Sequence, residues 1–287
     1  MSALIGTYLN SVGFKNLAPE TQRARRNILE RFREEHGHKR VATLQREHVQ
    51  KMVNSKSGTP SAARNFLNTL RMLMALAVET GLRSDDPTFG VKRLKIKTAG
   101  FRTWTEEDIA AFEDKHPVGT KARLAMALML YTGQRRSDIV YMGHQNLRND
   151  AIELRQRKTG TTLLIPIHPN LQEILDATPS GHLPFLTTSS GKPFASAASF
   201  GNWFGDRCRE AGLPKGTAAH GFRKAACRRL AEAGCSASEI MAISGHKTLS
   251  EVQRYCAAAD QARMARAAHI KTRKAFGTKT KTSSGKP

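Results

Sequence analysis

Six side chains spread over about 120 positions have the types that attack on a phosphate ester requires: Arg135, Lys158, His220, Arg223, His246 and Tyr255. Breaking a phosphodiester needs positive charge around phosphorus, a nucleophile, and a proton for the leaving oxygen. Enzymes supply these with metal ions or with cationic side chains. No carboxylate cluster suited to two metals stands out here, so no metal is expected; cationic side chains are plentiful. Arg135 lies in Thr132-Gly133-Gln134-Arg135-Arg136-Ser137-Asp138, where an apolar helix should end at Gly133 and the next begin with Ser137-Asp138. Such a junction holds an arginine in a fixed place. Lys158 sits at the tip of a predicted hairpin. His220 and Arg223 open a helix, and their i, i+3 spacing puts both on one face. Gly245-His246 falls in a break between two helices, and Tyr255 follows nine residues later in a short helix. Each group alone is ordinary, since a junction arginine is more often a cap and a turn lysine is usually just solvated. The order and spacing carry the information.

The elements that must hold these groups read as two parts divided near residue 97. In residues 1–97 no strand pattern appears. A helix spans Pro19 to His36, with Ile28, Leu29 and Phe32 on one face. A short helix should follow Thr43 as N-cap. A longer one runs from Pro60 to Thr80, with Thr59 as cap, Pro60 at N1 and Gly81 beyond its end. Its Phe66, Leu67, Leu70, Leu73, Met74 and Ala77 have helical apolar spacing. This part is expected to be a small all-helical bundle. Residues 84–103 read as a linker, with the basic stretch Lys92 to Lys97.

Residues 98–260 open on Thr105-Glu106-Glu107-Asp108, a capping-box-like helix start whose acids read as structural. A buried helix follows from Ala122 to Tyr131. Ala151 to Arg157 and Thr161 to Ile167 alternate as two strands around Lys158-Thr159-Gly160. Helical patterns resume at about 195–211, 221–233, 236–243 and 249–259. The expected class is mainly α with a small antiparallel β-sheet. The tail, residues 261–287, carries eight Lys+Arg and no acid. Met264, Ala267, Ala268 and Ile270 suggest a helix there, and its last dozen residues read as disordered.

Charge narrows the partner. The 287 residues hold 46 Lys+Arg against 24 Asp+Glu, a net charge of +22. Both parts are basic: residues 1–97 hold 18 Lys+Arg and 8 Asp+Glu. Such an excess points to a polyanion, nucleic acid first and an anionic membrane surface second. No apolar run reaches the roughly 18 residues of a spanning helix, and no signal pattern opens the chain. A cytoplasmic protein is expected, without membrane insertion. Cys208, Cys227, Cys235 and Cys256 form no C-x-x-C pair and read as reduced thiols.

The chain resembles the tyrosine recombinase (phage integrase) family. That family carries an Arg in T-G-x-R-x-S-[ED], a Lys on a β-hairpin, an H-x-x-R segment, a G-H pair, and a Tyr nine residues after that His; all five occur here in order, over roughly residues 104–260. The resemblance implies a SAM-like core-site DNA-binding bundle in 1–97 and the catalytic domain in 98–260. It implies that Arg135 and Arg223 flank the scissile phosphate, that His246 donates to a non-bridging oxygen and that His220 assists as acid or base. Lys158 would protonate the leaving 5′ oxygen, Asp138 would orient an Arg from behind, and Tyr255 would attack to give a 3′-phosphotyrosine. Bond energy kept in that linkage makes strand exchange through a Holliday junction reversible, with no cofactor, ATP or metal. Of the other tyrosines, Tyr8 lies in the first part, and Tyr131 and Tyr141 read as packing. Cys256 is a neighbour, since a thiol is not the family's nucleophile. Phe222 and Ser244 stand where Leu is common, which leaves the polar groups intact, and Ala257 stands where His is frequent, which puts nothing essential in doubt.

The resemblance further implies double-stranded recombination sites as partner, with a homotetramer on DNA and a monomer without it. Nucleoid association follows. Only about 18 residues precede the first long helix, so no additional arm-binding domain is expected. The two parts would clamp the duplex from opposite sides. Arg64, Asn68 and Arg71 on the long N-terminal helix are candidates for the major groove. A type IB topoisomerase-like enzyme and an inactive DNA-binding relative remain as alternatives. The target sequence, the direction of reaction and any DNA-bending or directionality proteins stay open.

Overall fold

The computed structural model describes residues 1–95 and 101–276. The chain divides into two units, Met1–Thr98 and Ala99–Pro287. The first is all-helical: α1 (Ser2–Asn10), α2 (Val12–Lys15), α3 (Pro19–His36), α4 (Arg46–Asn54) and α5 (Pro60–Glu79). The apolar stripe of α5 is buried as its spacing predicts, and it packs with Leu4, Ile5, Phe14, Leu29, Phe32 and Val49. Neither α1 nor α2 was expected, yet both supply core residues. Thr43 does not cap α4. It ends a 3-10 turn, Val41–Thr43, and its hydroxyl donates to the Arg40 carbonyl; Gln45 takes the cap position instead. Thr59 precedes α5 without a side-chain capping bond, because its backbone (φ −133°, ψ 69°) lies outside the extended region usual for a cap.

The segment read as the start of a linker is docked. Arg83, 8% exposed, donates to the carbonyls of Val41 and Leu44 and to Asp85. Thr88 and Val91 are buried, and the Lys92 amide donates to Gln50. Residues 96–100 and 277–287, which include Lys97 and nearly all of the tail expected to be disordered, lie outside the described residues.

The second unit contains α6 (Glu106–Lys115), α7 (Lys121–Thr132), α8 (Arg136–Ile139), β1 (Leu147–Arg148), β2 (Ala151–Arg155), β3 (Thr162–Pro166), α9 (Pro169–Ala177), α10 (Ala197–Glu210), α11 (Ala219–Glu232), α12 (Ala237–Ser244) and α13 (Leu249–Phe276). The sheet is antiparallel in the order β1-β2-β3, with Ile152 opposite Ile165 and Leu154 opposite Leu163. Neither β1 nor α9 was expected, and the two hairpin strands are shorter than predicted. Helix α7 is buried on nearly every side from Ala122 to Leu130, as an apolar helix without a polar face must be.

Aromatic packing places the start of α11. Trp104 lies 3.9 Å from the Phe222 ring, and its indole donates to the Ala218 carbonyl. Gly221 allows this approach, since a Cβ there would meet the Arg102 carbonyl and Trp104. Glu106 ties the start of α6 to α11 through Arg228 and Arg229; the Arg229 contact leads in holding its carboxyl down at about 2. Helix α13 docks through Val252 and then continues unbroken to Phe276, with residues 261–276 exposed. Seven alanines between Ala257 and Ala268 favour that continuation. Among the described residues no helix is long and apolar enough to cross a membrane.

Phe112 is fully buried between Trp104 and Phe204. Phe112→Ala is expected to destabilise the second unit by about 3–5 kcal/mol, read as a lower denaturant midpoint at unchanged slope.

Candidate active site

Two helix ends and a hairpin turn converge on one carbonyl. Helix α12 ends at Ser244, whose carbonyl accepts from Arg223 Nη1 at 2.6 Å and from Gln156 Nε2 at 2.9 Å. Arg223 Nη1 also donates to the Gly133 carbonyl, where α7 ends, at 2.9 Å. Arg223 is 4% exposed, and its Nη2 is buried with no hydrogen-bond partner among the described residues. Burial, then the neighbouring Arg135, bring its pKa down to about 10. An unpaired buried guanidinium nitrogen is costly unless something anionic completes it.

Arg135 stands at the N-cap of α8, and its Nη1 donates to Gln156 Oε1 at 3.1 Å. Lys158 is exposed in the turn between β2 and β3, with its charge within electrostatic reach of His220. Asp138 departs from its expected role. Its Oδ1 accepts from the Arg157 backbone amide at 2.9 Å, and among the described residues no arginine side chain bonds to it. It therefore ties the turn carrying Lys158 to α8, because the buried carboxylate faces the chain just before Lys158.

Both histidines are held neutral near pH 7. His220 is lowered by burial first, then by Arg223, Lys224, Arg135 and Lys158, and its ring packs 4.7 Å from Phe101. His246 is pushed down to about 4 by burial first, then by Arg223. Ser244 Oγ donates to the Ile240 carbonyl, so it must accept from His246 Nδ1, 2.7 Å away. That fixes the proton of the neutral ring on Nδ1 and leaves Nε2 bare.

Tyr255 packs with Cys227, Ile240 and Val252. Burial, the largest influence, raises its pKa above the ordinary value, against the pull of Arg254 and Arg223. Its hydroxyl accepts from Arg254 Nη2 at 3.0 Å, and the Arg254 guanidinium lies 4.9 Å from its ring centre. Arg223 thus acts electrostatically on His220, His246 and Tyr255, Arg135 on both histidines, and Lys158 on His220. Among the described residues no group of His, Cys, Asp and Glu is placed to hold a metal ion.

Residues 103–262, more than half of the chain, match the family model described as "Phage integrase family". The chain belongs to the phage integrase family. Within it, a tyrosine recombinase XerD of Xanthomonas campestris pv. campestris is 28% identical over 229 residues, 70% of this chain and 69% of that protein. The integrase of Escherichia phage HK022 is 24% identical over 58% of this chain and 47% of its own length. Among solved phage integrase structures, a lambda integrase dimer bound to a COC′ core site superposes with TM-score 0.79 at 19% identity, covering 89% of this chain and 95% of that one. A lambda integrase tetramer bound to a Holliday junction gives 0.76 at 19% identity, over 87% and 78%. These confirm the expected fold: a mainly α unit with a small antiparallel sheet, and a helical N-terminal bundle.

Arg64, Asn68 and Arg71 lie in the first unit, on α5. Arg71 donates to the Val91 carbonyl and Asn68 accepts from Arg93, so two of the three also hold the docked segment. The residues that order the site but escaped sequence reading are Gln134, Gln156, Ser244 and Arg254. Arg254 was legible only as a charge beside Tyr255. The two glutamines bond across the fold, which no local pattern signals.

His246 also makes stability pH-dependent. An unfolded histidine titrates near 6.5, whereas the folded His246 titrates at about 4. Between those values the unfolded chain binds more protons, so this contribution is complete above 6.5 and is lost as pH falls towards 4. Denaturation midpoints should drop on acidification across this window, and less steeply in His246→Gln. Equal slopes would mean that His246 is not held neutral.

Proposed function

We propose that this phage integrase family member is a site-specific DNA recombinase working through a 3′-phosphotyrosine at Tyr255. The observation that carries this reading is the buried, unpaired Arg223 Nη2 beside Arg135, His220, His246 and Tyr255. A scissile phosphate supplies the acceptor that this nitrogen lacks. Guanidinium groups match phosphate oxygens, and two of them stabilise the extra charge of the pentacoordinate transition state.

In this mechanism Tyr255 Oη attacks phosphorus and the P–O5′ bond breaks. The strand keeps a 3′-phosphate esterified to Tyr255 and releases a 5′ hydroxyl. Neutral His220 accepts the tyrosine proton, which Tyr255's raised pKa will not release unaided. Lys158 delivers a proton to the leaving 5′ oxygen. His246 donates from Nε2 as an imidazolium, after the phosphate's charge has raised its pKa. Asp138 holds the turn that carries Lys158. A 5′ hydroxyl from another strand reverses the attack and completes exchange.

Residues 1–97 act in this reading as the core-site binding domain, with Arg64, Asn68 and Arg71 facing DNA. Residues 98–260 are the catalytic domain, and the exposed end of α13 docks on a neighbouring subunit. Strand exchange between two duplexes uses a homotetramer on DNA, and the protein acts in the cytoplasm on the nucleoid.

A pool of nicked duplexes of randomised sequence provides the test. The protein should trap a subset as covalent adducts that survive denaturation. Tyr255→Phe should form none while retaining DNA binding; an adduct with that variant would overturn the assignment. Enriched sites should recombine in pairs, and plasmid relaxation without strand exchange would favour a topoisomerase instead.

Lys158 is tested by its leaving group. Lys158→Ala should slow cleavage by about 10²–10⁴-fold. A bridging 5′-sulfur, which leaves without a proton, should restore most of the rate. An unrestored rate would place Lys158 outside proton transfer.

A further inference from the structure

We propose that Gln156 is a positioning residue for the reaction: it fixes Arg135 and the Lys158 turn to the same Ser244 carbonyl that anchors Arg223. The proposal rests on the phosphotyrosine reading above. Gln156 follows β2 directly, opens the turn that carries Lys158, and is 1% exposed. Its Oε1 accepts from Arg135 Nη1 at 3.1 Å and from Thr159 Oγ1 at 2.6 Å. Its Nε2 donates to Gln134 Oε1 at 2.6 Å and to the Ser244 carbonyl at 2.9 Å. The amide orientation is forced, because a guanidinium can only donate and a carbonyl can only accept. All four hydrogen-bonding places of the side chain are then filled. Gln134 is itself pinned, donating to the Thr132 and Ile243 carbonyls.

Three reacting groups therefore share one reference point. Arg223 reaches it directly, Arg135 through Gln156, and Lys158 through its neighbour Thr159. Gly245 shows how closely the amide fits. Its φ is +67°, and a Cβ there would lie 2.5 Å from Gln156 Nε2.

The chemistry explains why the group is an amide. A carboxylate would orient Arg135 equally well but would cancel charge meant for the phosphate. It would also turn its second oxygen, in place of the Nε2 donor, against both the Ser244 carbonyl and Gln134 Oε1. An amide holds the guanidinium and leaves its charge available. Methionine fills similar volume and makes none of these bonds, so Gln156→Met removes the orientation while keeping the packing.

The test is single-turnover cleavage of a nicked substrate by the full chain, with DNA affinity measured alongside. Gln156→Met should bind DNA within about 2-fold of the parent yet cleave on the order of 10²-fold more slowly, the loss expected of a misplaced reacting group. A bridging 5′-sulfur should recover only part of that loss, because the Arg135 share does not depend on the leaving group. Thr159→Val, in the turn, cuts one bond of the four. It should cost about 10-fold and be recovered almost fully by the same sulfur, because it releases the Lys158 turn alone. Should Gln156→Met fail to fold, Thr159→Val still decides the turn's share, and parental cleavage by it overturns the proposal. So does a Gln156→Met whose rate and affinity fall together, the mark of a merely structural role. Tyr255→Phe keeps the two readings apart. If it forms an adduct, the phosphotyrosine reading fails; if it does not and Gln156→Met cleaves normally, only the present proposal fails.

Discussion

A guanidinium that is 4% exposed must find its partners inside the protein, and Arg223 finds only some of them. Two carbonyls at helix ends, Gly133 and Ser244, take its Nη1. Neither carries a full negative charge, so the cation is oriented without being neutralised. That choice governs the surroundings. Helices α7 and α12 must both terminate here, since only a helix's last carbonyls are free to accept. Gly133 and Gly245 end them in left-handed conformations. The hairpin must come close enough for Gln156 to share the Ser244 carbonyl. The secondary structure of the second unit is arranged around keeping one cation buried and only half satisfied.

The same charge sets the protonation of its neighbours. Arg223 lowers both His220 and His246, with burial the larger cause in each. A site crowded with cations and neutral histidines is poorly balanced by itself and well balanced around an anion. A phosphate brought into it would relieve the repulsion between Arg135 and Arg223 and raise the pKa of His246, which donates to it in the proposed mechanism. Binding and the loading of that proton would then be one event. The Ser244 hydroxyl adds direction, because it forces the neutral His246 to keep its proton on Nδ1.

How much of this was legible in the sequence follows from what kind of signal each residue emits. Arg135, Arg223, His246 and Tyr255 belong to an ordered set of rare types, and order survives without coordinates. Helix α5 was legible because its apolar period is long and regular. Gln156 emits nothing: it is a neutral residue at a strand end, and two of its four partners lie 22 and 88 positions away. Arg83 misleads for the opposite reason. A charged residue in a loop reads as solvated, yet here it is buried among carbonyls and holds the segment after it. Asp138 was expected to orient an arginine, but its partner is the Arg157 backbone amide, and no spacing rule distinguishes the two. Thr43 shows the local version of the same limit, its hydroxyl having been taken up by a competing turn.

The proposed nucleophile is poorly prepared by its own surroundings. Burial raises Tyr255, and Arg254, one residue before it, opposes that rise through a hydrogen bond to the hydroxyl. Arg254 is exposed and reaches back over the ring, so its hold is modest compared with the buried contacts of Arg223. Helix α13 itself is anchored by Val252, one turn earlier, and is exposed from residue 261 onward. Tyr255 therefore lies, with Cys256 and Ala259, in the last packed turns before the helix becomes free. A phosphorylated tyrosine needs such a place: its ring must stay seated while its oxygen follows the phosphorus through attack and reversal. In the proposed mechanism the buried and hydrogen-bonded Arg223 supplies charge stabilisation from the packed part of the site, while Tyr255 comes from a helix that packs through Val252, Tyr255, Cys256 and Ala259 and is exposed from residue 261.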